Sequence, residues 1–308
     1  MRQWMWALIV TGLLASPAQA VIYWDDGLES DSFSGTGNGG STNVTPKFNP
    51  LPNFPESIWY SDPGVQGPGV PGTLPMTRDT AIKFDGSSSV RYNYTQKCQT
   101  SDPDAGTQSC GGSTSRNFPY ASSHFGRVLI RPSAGWQWSA GNGQSKLWGV
   151  RSTQGLSKIW FNAYFSLGLI ISAENTPANG STTNLPLNMT MTREVWNCVE
   201  WEIIANNPPG TANGQLRAWL NGSATPSVNR SDISWRGVGN DSYLDFFHLY
   251  RQSGGPTKYI SPASPGSGFS DIQYLHFDRI AIGTTRIGCP AGGGDTTAPA
   301  TPAGWIVR

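Results

Sequence analysis

Between Trp196 and Gly222 the chain alternates apolar and polar residues on both sides of a loop rich in Asn, Pro and Gly. Val199, Trp201 and Ile203 fall on one side of the first segment, with Glu200 and Glu202 on the other. Leu216, Ala218 and Leu220 alternate likewise with Arg217, Trp219 and Asn221, and Asn221-Gly222 supplies the next turn. A period of two marks strands with one buried face, and the Gly/Pro loop joins them as an antiparallel pair. The same period runs through Lys158 to Leu167, where Ile159, Phe161, Ala163 and Phe165 oppose Lys158, Trp160, Asn162 and Tyr164. Further strands are predicted at 21–24, 81–84, 89–94, 124–131, 145–151, 168–173, 243–251 and 274–282. No stretch sustains a 3.6-residue apolar period, so helix should be scarce.

Residues 31–76 lack periodicity and read as an extended loop of Gly, Pro, Ser and Asn. Many short strands separated by Gly/Pro turns predict an all-β, two-sheet antiparallel β-sandwich of the jelly-roll kind. Composition agrees: charged residues make up only 13%, while Gly (37), Pro (23) and Trp (13) are abundant. The sandwich is expected over residues 21–290, with a linker-like tail over 291–308. Residues 1–20 read as a signal peptide: Arg2, an apolar run, then Ala18-Gln19-Ala20 before Val21. The expected location is therefore secreted or periplasmic. Losing Arg2 brings the 21 basic residues level with the 20 acidic ones. That balance argues against nucleic acid or an anionic membrane as partner, and a monomer is expected.

In an oxidising compartment the four cysteines should form two disulfides. Cys98 and Cys110 flank a polar loop, and the chain-entropy relation assigns such a bridge about 3 kcal/mol. Cys198, on a strand, would then pair with Cys289, just beyond the last strand. A zinc site competes with this reading but has neither a C-x-x-C nor a histidine cluster behind it. No cofactor is required by the sequence. Asp25-Asp26 and Asp278, on the first and last strands, could hold a structural calcium, although carboxylates at turns are the simpler reading.

Most catalytic templates are absent: there is no G-x-S-x-G, no H-E-x-x-H and no phosphate loop. His124, His248 and His276 offer no local support for a Ser-His-Asp triad. Glu200 and Glu202 share a strand face, and two carboxylates so placed could form a retaining glycosidase pair. Carboxylates paired with Lys or Arg on a neighbouring strand explain them better.

Three ordered blocks, GQSKLWG at 143–149, the strand pair Trp196–Gly222 and FFHLYRQSGG at 246–255, together resemble jelly-roll polysaccharide lyases of the alginate and glucuronan lyase type, within the concanavalin A-like lectin/glucanase superfamily. Gly143 to Gly149, GQSKLWG, resembles their G-G-K-L-P-G-L segment. Trp196–Gly222 resembles a strand pair of theirs, and Phe246 to Gly255, FFHLYRQSGG, resembles a late strand, followed by Phe277-Asp278-Arg279-Ile280 in place of F-D-N-I. Two departures stand out: Trp148 replaces proline, and His248 and Tyr250 replace small hydroxyl residues.

The resemblance implies β-elimination on a uronic-acid polymer, which needs a carboxylate neutraliser, a base for the C5 proton and an acid for the leaving oxygen. Lys146 matches the family's lysine and is expected, on the same face as Trp148, to act as base or charge stabiliser. His248 and Tyr250 alternate on one face, where the phenol would be base and acid and the imidazole would help neutralise the carboxylate. Arg127, Arg151, Arg217 and Arg251 are expected carboxylate clamps, with Arg131 a further one. Trp148, Trp160, Tyr164 and Trp219 would form an aromatic platform for sugar rings. The expected function is a polysaccharide lyase; a lectin-like carbohydrate-binding module is the alternative, and a glycoside hydrolase the third choice. On either leading reading the partner is a polysaccharide, and the Trp196–Gly222 pair would form the middle of its groove.

Overall fold

A computed structural model describes residues 21–27, 60–62, 76–95, 112–134, 136, 144–152, 158–164, 168–174, 184–239, 243–254 and 272–291. The strands are β1 (Ile22–Asp26), β2 (Tyr60–Asp62), β3 (Met76–Asp79), β4 (Ser89–Thr95) and β5 (Gly112–Ala121). Next come β6 (Ser123–Pro132), β7 (Gln144–Arg151), β8 (Lys158–Tyr164), β9 (Gly168–Glu174) and β10 (Asn184–Pro186). The last are β11 (Asn197–Ile204), β12 (Gly214–Leu220), β13 (Val228–Ile233), β14 (Leu244–Gly254) and β15 (Ile272–Gly283). There is no helix among the described residues.

The strands form two antiparallel sheets. The eight-stranded sheet runs β13-β12-β11-β6-β15-β4-β3, with β1 also paired to β15. The seven-stranded sheet runs β10-β9-β8-β7-β14-β5-β2. One apolar cluster joins their inner faces, so the protein is a β-sandwich of the jelly-roll kind. Its centre is aromatic. Trp201 and Phe277 of the larger sheet meet Trp148, Phe161 and Phe247 of the smaller, with Trp148 stacked on Phe161 at 4.8 Å. Gly126 lies opposite Trp201 in the β6–β11 register, and a Cβ there would collide with the indole.

The opening pattern holds for β11 and β12. Val199, Trp201, Ile203, Leu216 and Ala218 all enter the core. Asn221 and Gly222 both take positive φ (53° and 74°), the conformation an Asn-Gly turn requires. Cys198 and Cys289 are disulfide-bonded as expected. Cys98 and Cys110 lie outside the described residues, as do residues 1–20 and 292–308.

Two expectations change. Residues 60–62, inside the stretch read as loop, form β2 and pair with β5. Residues 81–84 are a turn instead of a strand, because Asp79 Oδ1 accepts the N–H groups of Ala81 and Ile82 and bends the chain.

Candidate active site

Strand β7 carries the site because its alternation is broken once. Against β8, Lys146 pairs with Asn162 but Trp148 pairs with Phe161, so β7 holds one extra residue. Against β14, the register also shifts between Leu249 and Gln252. Such a bulge re-aims side chains. Leu147 and Trp148 both enter the core, and both are fully buried. Lys146 and Trp148 therefore do not share a face, and Trp148 cannot stack on a sugar. This corrects the expectation for Trp148, since a strict period of two does not survive an extra residue.

On the outer face of the seven-stranded sheet, Gly149 is flanked in register by Trp160 of β8 and His248 of β14. A Cβ at Gly149 would lie 2.6 Å from Trp160 Cε3, so the glycine leaves room for the indole to lie across β7. Trp160 then reaches His248, with ring centroids 5.7 Å apart. Lys146 Nζ sits 4.6 Å from the Trp160 centroid, a cation–π contact, and the Arg151 guanidinium 5.7 Å from it. Arg151 Nη1 is 3.3 Å from His248 Nδ1. Lys158 faces Arg151 in the β7–β8 register. Burial pushes the His248 imidazole well below its ordinary range, and the cations Arg151, Lys146 and Lys158 push it further down. The result is a neutral imidazole among three positive charges.

The structure thus brings together Lys146, Arg151, Trp160 and His248. Trp160 is only 3% exposed, so it is a floor beneath the cations and not an open stacking surface. Tyr164, Tyr250 and Arg251 lie on β8 and β14 of the same sheet, but their side chains are outside the described residues.

Four expected contributors lie on the other sheet. Arg127 of β6 is buried, with Nη2 2.6 Å from Asp25 Oδ1, and it also donates to the carbonyls of Arg279 and Gly288. Arg131, further along β6, is buried beside His276 in the β6–β15 register. Arg217 pairs with Glu202 at 2.6 Å directly across β11–β12. Trp219 is buried beneath Arg286, whose guanidinium lies 4.5 Å from the ring. None of these can clamp or stack on a glycan at the Lys146 face, and β11–β12 is not the middle of that groove. Alternation showed that the hairpin has two faces but could not assign it to a sheet.

Glu200 and Glu202 are charge partners, as their spacing suggested. Glu200 Oε2 lies 2.7 Å from Arg286 Nη2, while Oε1 accepts the N–H of Gly288. With both carboxylates held this way, they do not form a glycosidase pair. Asp278 accepts the N–H groups of Phe84 and Arg279, one on each oxygen. Among the described residues, the group of metal-capable side chains that converges is Cys198, Glu200 and Cys289, and its two sulfurs are spent in the disulfide.

The other histidines are structural. His276 is fully buried on β15, with Nε2 2.9 Å from Asp79 Oδ2. His124 faces the core edge-on to Phe118, and burial lowers its pKa to about 3. Lys158 and Gly149 were not singled out from the sequence. Lys158 had a signal, alternation with Trp160, whereas nothing local marked Gly149 as the seat of an indole.

No family model matches the chain, and no curated protein matches it. Solved structures overlap in outline. The marine PL-14 alginate lyase from Aplysia kurodai gives a TM-score of 0.49 at 12% identity, covering 68% of this chain and 87% of that one. Alginate lyase vAL-1 from Chlorella virus gives 0.46 at 13%, covering 70% and 94%. Rv0315, an immunostimulatory antigen and pseudo β-1,3-glucanase of Mycobacterium tuberculosis, gives 0.47 at 12%, covering 86% and 99%. These are likenesses of overall form, and no residue's role follows from them.

Proposed function

We propose that this protein is a secreted polysaccharide lyase that cleaves a uronate-containing glycan by β-elimination on the outer face of the seven-stranded sheet. The observation that carries the reading is the neutral, buried His248 set among Arg151, Lys146 and Lys158. A uronate carboxylate raises the barrier to losing the C5 proton unless its charge is neutralised, and this face supplies the neutralising charge. Arg151 and Lys146 take the carboxylate. Tyr250, two residues along β14 from His248, takes the C5 proton as a phenolate. The C5–H electron pair becomes the C4=C5 double bond, the C4–O4 bond breaks, and O4 leaves with a proton from Tyr250. The Cys198–Cys289 disulfide supports an oxidising, extracytoplasmic location.

A lectin-like module that only binds is the second reading. Its support is that the described side chains of this face supply cations and a neutral ring, which suffice to hold a carboxylate. Incubation with alginate, glucuronan and related polyuronates, followed by ultraviolet absorbance of the unsaturated product, separates the two. Absorbance that rises with wild type and not with Tyr250→Phe supports the lyase. Retention on a polyuronate gel without any such product would sink it in favour of binding.

A further inference from the structure

We propose that Arg151 is a positioning residue that fixes the proton of His248 on Nε2, so that His248 meets its ligand as a hydrogen-bond donor and never as the base. A guanidinium carries five N–H donors and no acceptor. The 3.3 Å contact between Arg151 Nη1 and His248 Nδ1 therefore has one productive form, in which Arg151 donates and Nδ1 accepts. An imidazole whose Nδ1 accepts is neutral and carries its single proton on Nε2. The surroundings hold this form. Lys146 and Arg151 on β7 and Lys158 on β8 all oppose a second proton. Trp160 packs against the imidazole at 5.7 Å, and it can lie there because Gly149 has no side chain. On β5, Ser115 is the register partner of His248.

His276 provides the contrast. Its Nε2 meets a carboxylate, Asp79, which consumes the same proton in a structural bond. At His248 the partner on Nδ1 is a donor, which keeps the ring proton on Nε2. It also excludes Nδ1 as the acceptor of the C5 proton, so the base must be another residue. The ligand in this argument rests on the lyase reading; the tautomer does not.

The test is nitrogen NMR of the ligand-free full chain labelled on its histidine rings, at neutral pH, with His248→Gln assigning the signals. The expected spectrum gives His248 a protonated Nε2 and an unprotonated Nδ1. A proton on Nδ1, or on both nitrogens, overturns the proposal. Arg151→Met should shift the ring to a mixture of tautomers, and Arg151→Lys, which keeps a donor, should restore the Nε2–H form. If Arg151→Met leaves the His248 signals unchanged, Arg151 does not position the ring. Unchanged His124 and His276 signals report that the variant is folded. A locked tautomer with no unsaturated product from any polyuronate would refute the lyase reading alone.

Discussion

On the outer face of the eight-stranded sheet, His276 meets Asp79, Glu200 meets Arg286, Glu202 meets Arg217 and Asp25 meets Arg127. On the outer face of the seven-stranded sheet, the charges that act on His248 among the described residues are Arg151, Lys146 and Lys158, all of one sign. Both faces bury a histidine and lay a cation over a tryptophan: Lys146 over Trp160 and Arg286 over Trp219. Residue types alone do not distinguish them. The difference lies in what each cation faces. Arg286 pairs with the buried carboxylate of Glu200, whereas Lys146 and Arg151 both lie against the Trp160 ring and Arg151 also meets the His248 imidazole. The first arrangement holds strands together; the second is the one the proposed function assigns to an anionic glycan.

The largest effect should come from the cationic face. Lys146→Ala should lower kcat/KM on a polyuronate by about 100-fold or more, as expected for a lost electrostatic contact at the reacting group. Its Tm should stay near wild type, and Arg217→Ala should keep nearly full activity. Equal losses from both variants would erase the distinction between the faces.

Next in size is Arg286→Ala, which leaves Glu200 buried without its cation. Removing one partner of a buried pair costs roughly 3–5 kcal/mol, readable by chemical denaturation, with activity per folded molecule unchanged.

Asp79 should produce an acid limb in stability. The His276 N–H holds its carboxyl well below the usual carboxylate range, helped by the N–H groups of Ile82 and Ala81. A depressed folded pKa contributes stability that is fully present above the unfolded value, about 3.9, and lost as pH falls below it. Asp79→Asn should cost about 2 kcal/mol at neutral pH, the range for a hydrogen bond to a charged group. It should also flatten the loss of stability that wild type shows as pH falls below about 4.

The smallest effect belongs to Arg217→Ala. Burial raises the Glu202 carboxyl and Arg217 lowers it. Because the Arg217 side chain is 39% exposed, the pair is worth about 1 kcal/mol or less. Without Arg217 the Glu202 pKa rises further. A raised folded pKa favours the fold at low pH and loses that benefit as pH rises, so the variant should be weakened more at pH about 8 than at pH about 4.

Much of the sandwich was legible because alternation is local. It placed Val199, Trp201 and Ile203 in the core and Glu200 and Glu202 opposite them, and oxidising chemistry paired Cys198 with Cys289. It also put His248 on one face of β14, and the structure buries Phe247 and Leu249 of the other face in the core. What local patterning cannot carry is phase and partition. One extra residue at Leu147 turned Trp148 inward, and no residue type announced it. The assignment of Arg217 and Trp219 to the sheet opposite Lys146 depends on strand order, which is set by contacts distant in sequence. Arg127 was misplaced for the same reason, since its partners Asp25 and Gly288 are far away along the chain.

The central claim is that the His248 face, and not the His276 face, receives an anionic glycan. The chain has 3 histidines, so a titration with an oligouronate monitored at the histidine ring signals reports on both faces at once. The account predicts saturable shifts at His248, with His276 and His124 unmoved. Shifts at His276 with His248 silent would contradict it.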